Sequence, residues 1–131
     1  MGASVNARSM SPADVRALLG PDAIIGLSVT GLDEARGAQG QPVDYLGAGP
    51  VFATATKADA GAPQGLDGLS AMINLAEVPV VGIGAITAAN AAAVLSAGAR
   101  GVAVVSAICS APDPRAAAEV LRHITVRERR R

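Results

Sequence analysis

The chain has 131 residues, half of them hydrophobic but only 2% aromatic, and its formal net charge is zero. These values predict one domain with a core of Ala, Val, Ile and Leu, and they argue against a nucleic-acid binder that works through bulk charge. Cys109 is the only cysteine and no stretch approaches the roughly 18 apolar residues of a membrane span, so we expect a cytoplasmic protein without a membrane partner.

The first half of the chain predicts alternating helices and strands. Ser11 is placed to cap a helix before Pro12, and Gly20 to end that helix. An apolar strand follows at residues 23–27. Thr30 then precedes a second helix, and a second apolar strand follows at residues 43–47.

The second half continues the alternation. Apolar residues at helical spacing predict a helix over residues 66–76, and a strand follows at 78–83. Thr87 is placed to cap a helix over 88–97, a fourth strand is predicted at 101–105, and a last helix starts at Asp113.

This order predicts an α/β fold of parallel βα units with right-handed crossovers. No G-x-G-x-x-G follows a strand, which argues against a dinucleotide site in a doubly wound sheet. A complete (β/α)8 barrel needs at least about 200 residues. Four predicted strands therefore indicate about half of a TIM barrel.

Polar and small residues follow each predicted strand, where parallel α/β folds place their active sites. A loop at residues 54–57 brings two hydroxyls and one ammonium together, which suits phosphate oxygens. Each residue also has a structural interpretation, as a strand end, a solvated loop, a turn glycine or a buried hydroxyl. The candidate rim consists of Ser28, Thr54, Ala55, Thr56, Lys57, Gly84, Ala85, Val105 and Ser106.

The chain resembles the thiamine-phosphate synthase family from about residue 11 to residue 124. The matching segments include Ile-Ile-Gly-Leu-Ser at 24–28, Asp-Tyr-Leu-Gly-Ala-Gly-Pro-Val-Phe at 44–52, Thr-Ala-Thr-Lys at 54–57, Pro-Val-Val-Gly-Ile-Gly at 79–84 and Gly-Val-Ala-Val-Val-Ser-Ala-Ile at 101–108. The resemblance implies the C-terminal half of a (β/α)8 barrel. It also implies a transferase that joins hydroxymethylpyrimidine diphosphate to thiazole phosphate, with release of pyrophosphate.

The same resemblance implies roles for the rim. Ser28 would contact the pyrimidine diphosphate, and Lys57 would hold the pyrophosphate oxygens, so these two are the candidate catalytic residues. The thiazole phosphate would lie against the 54–56 segment and against Gly84, Ala85, Val105 and Ser106. Family members have a glycine where this chain has Ala85, which would weaken binding if that position needs a positive φ.

The resemblance also implies Mg²⁺, but the family's metal-binding carboxylates are absent, and Ser9 stands where an aspartate is expected. We therefore assign no metal ligand. Three regions follow: an atypical segment at 1–10, the half-barrel at 11–126 and a basic tail at 127–131.

A half-barrel leaves two open sheet edges and an exposed apolar inner face. We therefore expect a homo-oligomer or completion by another half-barrel chain. Two other functions stay open: a non-catalytic thiazole-phosphate-binding remnant or subunit, and a thiazole tautomerase. The tautomerase would need an acid–base group at the rim, whereas the only histidine, His123, lies late in the last predicted helix.

Overall fold

The computed structural model describes residues 2–5, 10–53 and 62–129. In these ranges the chain forms a single sheet of five parallel strands. The sheet follows chain order from β1 to β5, and each neighbouring pair is parallel. The strands are β1 (Gly2–Val5), β2 (Ile24–Val29), β3 (Tyr45–Ala48), β4 (Val80–Ile83) and β5 (Gly101–Ala103).

The predicted number of four strands is wrong, because β1 lies in the segment that the sequence indicated as atypical. Its sequence, GASV, has no apolar run that would predict a strand. It nevertheless pairs along its whole length with β2, from Gly2 opposite Ile24 to Val5 opposite Leu27. The neighbouring strand, rather than the propensity of these four residues, specifies β1.

In the described ranges four helices connect the strands and two follow β5: α1 (Pro12–Leu19), α2 (Leu32–Gly37), α3 (Gly65–Leu75), α4 (Ala91–Ser96), α5 (Ser106–Cys109) and α6 (Pro114–Arg129). The predicted cap of α1 is confirmed, since Ser11 Oγ accepts a hydrogen bond from the Asp14 amide at 3.2 Å. Helix α4 begins three residues later than predicted, with Asn90 at its N-cap position instead of Thr87. Helix α5 was not predicted, and it places Ser106 at a helix start rather than a strand end.

The apolar core lies between the sheet and the helices. Alternate strand residues point into it, including Ile25, Leu46 and Val80, which are at most 3% exposed. Gly82 lies on the same face, where an added Cβ would stand 2.6 Å from Val94 Cγ1 of α4. The strand period of two therefore directs the intervening residues to the opposite face.

That opposite face, here called the inner face, is built largely from small residues. An added Cβ on Gly26 would collide with the ring of Tyr45, the residue paired with Gly26 across β2 and β3. An added Cβ on Gly47 would lie 2.9 Å from Ile83 Cδ1. Two large apolar side chains of this face are accessible, with Ile24 60% and Ile83 39% exposed.

Candidate functional site: the carboxyl edge of the sheet

The candidate residues that the structure describes lie along the carboxyl edge of the sheet. Ser28 is the second-last residue of β2, Gly84 and Ala85 follow β4, and Ser106 begins α5 shortly after β5. Because the strands are parallel, these positions share one edge. The structure thus brings Ser28, Gly84, Ala85 and Ser106 to the same side of the molecule.

Ser28 occupies a deeper level than the other candidates. It pairs with Gly47, whereas the last paired residues of β4 and β5, Ile83 and Ala103, lie two positions further along the strands. Ser28 also has the same strand parity as Gly26, so its half-buried side chain belongs to the inner face. It therefore forms part of the floor beneath the rim.

The segment after β3 is tied to both neighbouring strands. The Gly49 amide donates to Val29 O at 3.1 Å, and the Val51 amide donates to Ile83 O at 2.8 Å. The Gly49–Pro50 peptide bond is cis. Gly49 packs so closely against β4 that an added Cβ would collide with the carbonyl oxygen of Ile83. This contact explains the glycine at position 49.

The turn after β4 has a left-handed backbone at two successive residues, with φ of 111° at Gly84 and 52° at Ala85. Gly84 rests on Pro50, since an added Cβ would lie 2.6 Å from Pro50 Cα. Position 85 therefore has a positive φ, the conformation in which an alanine is expected to weaken binding of the thiazole phosphate. That conformation costs an alanine about 1–2 kcal/mol relative to the right-handed region.

Asn90 holds this turn through both ends of its side-chain amide. Its Nδ2 donates to Ala85 O at 3.1 Å, and its Oδ1 accepts from the Thr87 amide at 2.8 Å. The Ala85 amide itself donates to no acceptor in the part of the chain that the structure describes. The sequence alone did not indicate this role of Asn90, because nothing in its spacing predicts a contact with a turn five residues earlier.

The chain after β5 contributes backbone amides rather than buried side chains. Val105 is 58% exposed at the N-cap position of α5, and its carbonyl accepts from the Cys109 amide at 2.8 Å. Ser106 is exposed and begins the helix. The Ile108 and Cys109 amides donate to Val105 O, which leaves the Ser106 and Ala107 amides without a backbone acceptor among the described residues.

Four predicted site residues, Thr54, Ala55, Thr56 and Lys57, lie outside the described residues. Ser9, considered in connection with the metal, also lies outside them. Within 2–5, 10–53 and 62–129, no three His, Cys, Asp or Glu side chains are grouped so as to hold a metal ion. Those residues do not fit a Mg²⁺ site, which needs carboxylates at the phosphates.

The opposite, amino edge carries a polar cluster that sequence reasoning missed. Asp44 accepts from the Ile25 amide at 2.7 Å and from Arg16 at 2.9 Å. Arg16 also donates to the carbonyl oxygens of Ala23 and Pro42. The amide hydrogen bond from Ile25, followed by that from Arg16, lowers the pKa of Asp44. The cluster joins α1, β2 and the start of β3, far from the rim, so its role is structural.

His123 lies on the outer surface of α6, which begins at Pro114 near the carboxyl edge. The helix ends near the amino edge, where Arg129 donates to the carbonyl oxygen of Arg100, the residue before β5. At 1.5 Å per residue, His123 is about 14 Å along the helix axis from Pro114. Its side chain is exposed beside Glu119 and Val126.

None of the helices in the described ranges has the length and apolarity to cross a bilayer.

Comparison with known proteins identifies the family. The family model for thiamine monophosphate synthase matches residues 1–108. The thiamine-phosphate synthase of Solidesulfovibrio magneticus is 71% identical over 123 residues, which cover 94% of this chain and 58% of that protein. The synthase of Azorhizobium caulinodans is 48% identical over 129 residues, covering 98% of this chain and 61% of that protein.

A solved structure agrees with the sequence matches. The thiamine phosphate pyrophosphorylase from Pyrococcus furiosus superposes with a TM-score of 0.87 at 40% identity, over 97% of this chain and 60% of that one. The chain thus spans about three fifths of the length of these relatives. From the family match and the shared fold, we conclude that this chain belongs to the thiamine monophosphate synthase family.

Proposed function

We propose that this chain forms the thiazole-phosphate side of a thiamine-phosphate synthase, and that its five strands are part of a (β/α)8 barrel. In the proposed reaction the bond between the pyrimidine methylene carbon and the pyrophosphate oxygen breaks, and pyrophosphate leaves with the electron pair. The thiazole nitrogen then forms the new bond to the methylene carbon. The chain's residues bind and orient the phosphates of both substrates, which is where such a reaction needs electrostatic stabilisation.

One observation carries the proposal: the left-handed turn at Gly84 and Ala85 lies at the carboxyl edge, and the Ala85 amide donates to no acceptor among the described residues. The turn is fixed from one side by Pro50 and from the other by Asn90. A donor fixed before the ligand arrives loses little entropy on binding, and an anion is the ligand that a backbone amide suits. The helix start at Ser106 lies at the same edge and supplies further amides.

The side chains of the rim complete the proposed site. Thr54, Ala55 and Thr56 line the thiazole phosphate, and Lys57 pairs with the pyrophosphate oxygens as they gain charge. Ser28, on the floor beneath the rim, donates its hydroxyl to the pyrimidine diphosphate. The described residues do not fit a Mg²⁺ site, so no step of this proposal depends on the ion.

Two alternatives use the same scaffold. A thiazole tautomerase would need an acid–base side chain at the ring, and the position of His123 far along α6 disfavours it. A subunit that binds thiazole phosphate without turnover would use the same rim. Conversion of both substrates to thiamine phosphate distinguishes the synthase from this binding subunit.

A calorimetric titration with thiazole phosphate tests the site directly. The variant Thr56→Val removes one hydroxyl at constant shape, and we expect a loss of roughly tenfold in affinity, the value of one hydrogen bond to a charged group. The matched control is Thr125→Val, because Thr125 donates to Leu121 O within α6. Equal affinity of the two variants would contradict the proposed site. We expect the affinity to be the same with and without Mg²⁺.

A further inference from the structure

The turn after β4 leaves only two residues to redirect the chain. Ile83 is the last residue of β4, and Ile86 is already in the core, only 3% exposed. Gly84 and Ala85, which lie between them, both have a positive φ. Because an alanine prefers the right-handed region, contacts from neighbouring elements are needed to keep Ala85 in this conformation.

The peptide group before Ala85 is held by the segment that follows β3. The Phe52 amide donates to the carbonyl oxygen of Gly84 at 3.3 Å, one residue after the Val51 amide donates to Ile83 O. The peptide bond between Gly84 and Ala85 is trans, so its N–H and its C=O point in opposite directions. The Ala85 amide, the anion donor of the proposed site, therefore points away from Phe52.

The peptide group after Ala85 is held from the side of α4. Among the described residues, Asn90 Nδ2 is the only hydrogen-bond donor to Ala85 O. An asparagine at an N-cap position usually accepts from the amides of its own helix. The side chain of Asn90 occupies that position of α4 but caps none of the helix amides, and both ends of its amide bind the preceding turn instead. Its hydrogen bonds thus support the turn rather than the helix.

We propose that Asn90 is a positioning residue for thiazole-phosphate binding, and that its contribution to affinity depends on the alanine at position 85. Without Asn90, the steric preference of an alanine disfavours the left-handed turn roughly tenfold. Apparent affinity falls with the fraction of the protein that has the binding conformation. A glycine populates both regions about equally, so with glycine the loss of Asn90 costs only about twofold. This inference rests on the phosphate site of the proposed function.

A double-mutant cycle tests this dependence, with affinity for thiazole phosphate measured by calorimetric titration. We expect Asn90→Ala to lower the affinity roughly tenfold and Ala85→Gly alone to change it by at most about twofold. The variant with both substitutions should stay within about threefold of the unsubstituted chain. An unchanged affinity in Asn90→Ala, or the same loss with and without Ala85→Gly, would overturn the inference.

Ser70→Ala is the matched control, because Ser70 Oγ donates to the carbonyl oxygen of Ala97 at 3.3 Å. The variant loses a side-chain hydrogen bond to a backbone carbonyl at the other end of α4, so the affinity should not change. A loss as large as that of Asn90→Ala would trace the effect to general destabilisation and overturn the inference. Circular dichroism verifies folding, and Asn90→Ser, which suits an N-cap position, takes the place of Asn90→Ala if that variant does not fold.

A measurement without ligand separates this inference from the proposed function. The three-bond coupling between the amide and α hydrogens of residue 85, measured by NMR, depends on its φ. We expect the coupling to change in Asn90→Ala and to stay the same in Ser70→Ala. An unchanged coupling in Asn90→Ala would overturn the inference even if the chain binds thiazole phosphate. A changed coupling in a chain that binds no thiazole phosphate would contradict the proposed function and leave Asn90 as the residue that fixes the turn.

Discussion

The side-chain amide of Asn90 donates to the carbonyl oxygen of Ala85 across 3.1 Å, so the start of α4 holds the turn that precedes it. The same side chain accepts from the Thr87 amide. A half-buried residue thus satisfies two backbone groups of a left-handed turn. The shape of the rim after β4 therefore depends on a residue that contacts no proposed ligand.

Removing these two hydrogen bonds should destabilise the fold. We expect Asn90→Ala to lower the free energy of unfolding by about 1–2 kcal/mol, measured by urea denaturation. Asn90→Asp keeps the acceptor for Thr87 and loses the donor to Ala85, so its loss should be smaller. Asn74→Ala, at an exposed position of α3, is the control and should change little. An unchanged urea midpoint for Asn90→Ala would show that the turn does not depend on the two hydrogen bonds of the Asn90 side chain.

Glycine at position 85 should stabilise the chain. Ala85 has a φ of 52°, and glycine adopts that region without the steric cost of a Cβ, so Ala85→Gly should raise the unfolding free energy by about 0.5–1 kcal/mol. The same substitution at the exposed helical residue Ala93 should lower it by about 1 kcal/mol. Thermal melts of the two variants should therefore shift in opposite directions, and a shift of both downward would contradict the strain at Ala85.

A Cβ at position 49 has no space. Gly49→Ala directs its methyl at the carbonyl oxygen of Ile83, a backbone atom that cannot rotate away. We expect a loss of about 2–3 kcal/mol in stability, the range of overpacked cores. Gly37→Ala is the matched control, since nothing lies within 4 Å of its added Cβ. Chemical denaturation measures the unfolding free energy of both variants. Equal values would contradict the close contact between Gly49 and the carbonyl oxygen of Ile83.

The amino-edge cluster predicts a pH dependence of stability. Hydrogen bonds from Ile25 and Arg16 lower the pKa of Asp44 below its ordinary 3.8. A carboxylate with a depressed folded-state pKa stabilises the fold above the unfolded value, and this contribution is lost as the pH falls through the folded pKa. Stability should therefore decline below about pH 4.

Substitution of the carboxylate isolates that contribution. Asp44→Asn should reduce the loss of stability at acidic pH (the acid limb), which is measured as the fall in urea midpoint from pH 6 down to about pH 2. Asp33→Asn, at a fully exposed carboxylate, should leave the limb in place. An acid limb unchanged in Asp44→Asn would show that other groups cause it.

The sequence predicted the elements whose signal is local. The apolar runs at 23–27, 43–47, 78–83 and 101–105 each contain most or all of an observed strand, and Ser11 caps α1 as its spacing predicted. Strand β1 was missed because its sequence, GASV, contains no apolar run, and helix α5 was missed because its four residues are too few to show a helical period. Their structure depends on neighbours that the sequence does not place side by side.

The candidate site divides in the same way. The predicted strand ends placed Ser28, Gly84 and Ser106 at one edge of the sheet, because the carboxyl ends of parallel strands lie at the same edge. The contacts that shape the site were not predictable, since they join residues through the fold. Gly49, which follows β3, packs against Ile83 of the neighbouring strand β4. The positive φ of Ala85 is a backbone conformation that its residue type does not indicate.

Tyr45 gives the molecule a built-in optical reporter. It is the only tyrosine of a chain without tryptophan, and its ring lies over Gly26 on the inner face. Ultraviolet emission from the unlabelled protein accordingly comes from one ring in one known place. Any molecule that settles over that ring changes its solvent contact, so its arrival can be followed in real time without attaching a dye.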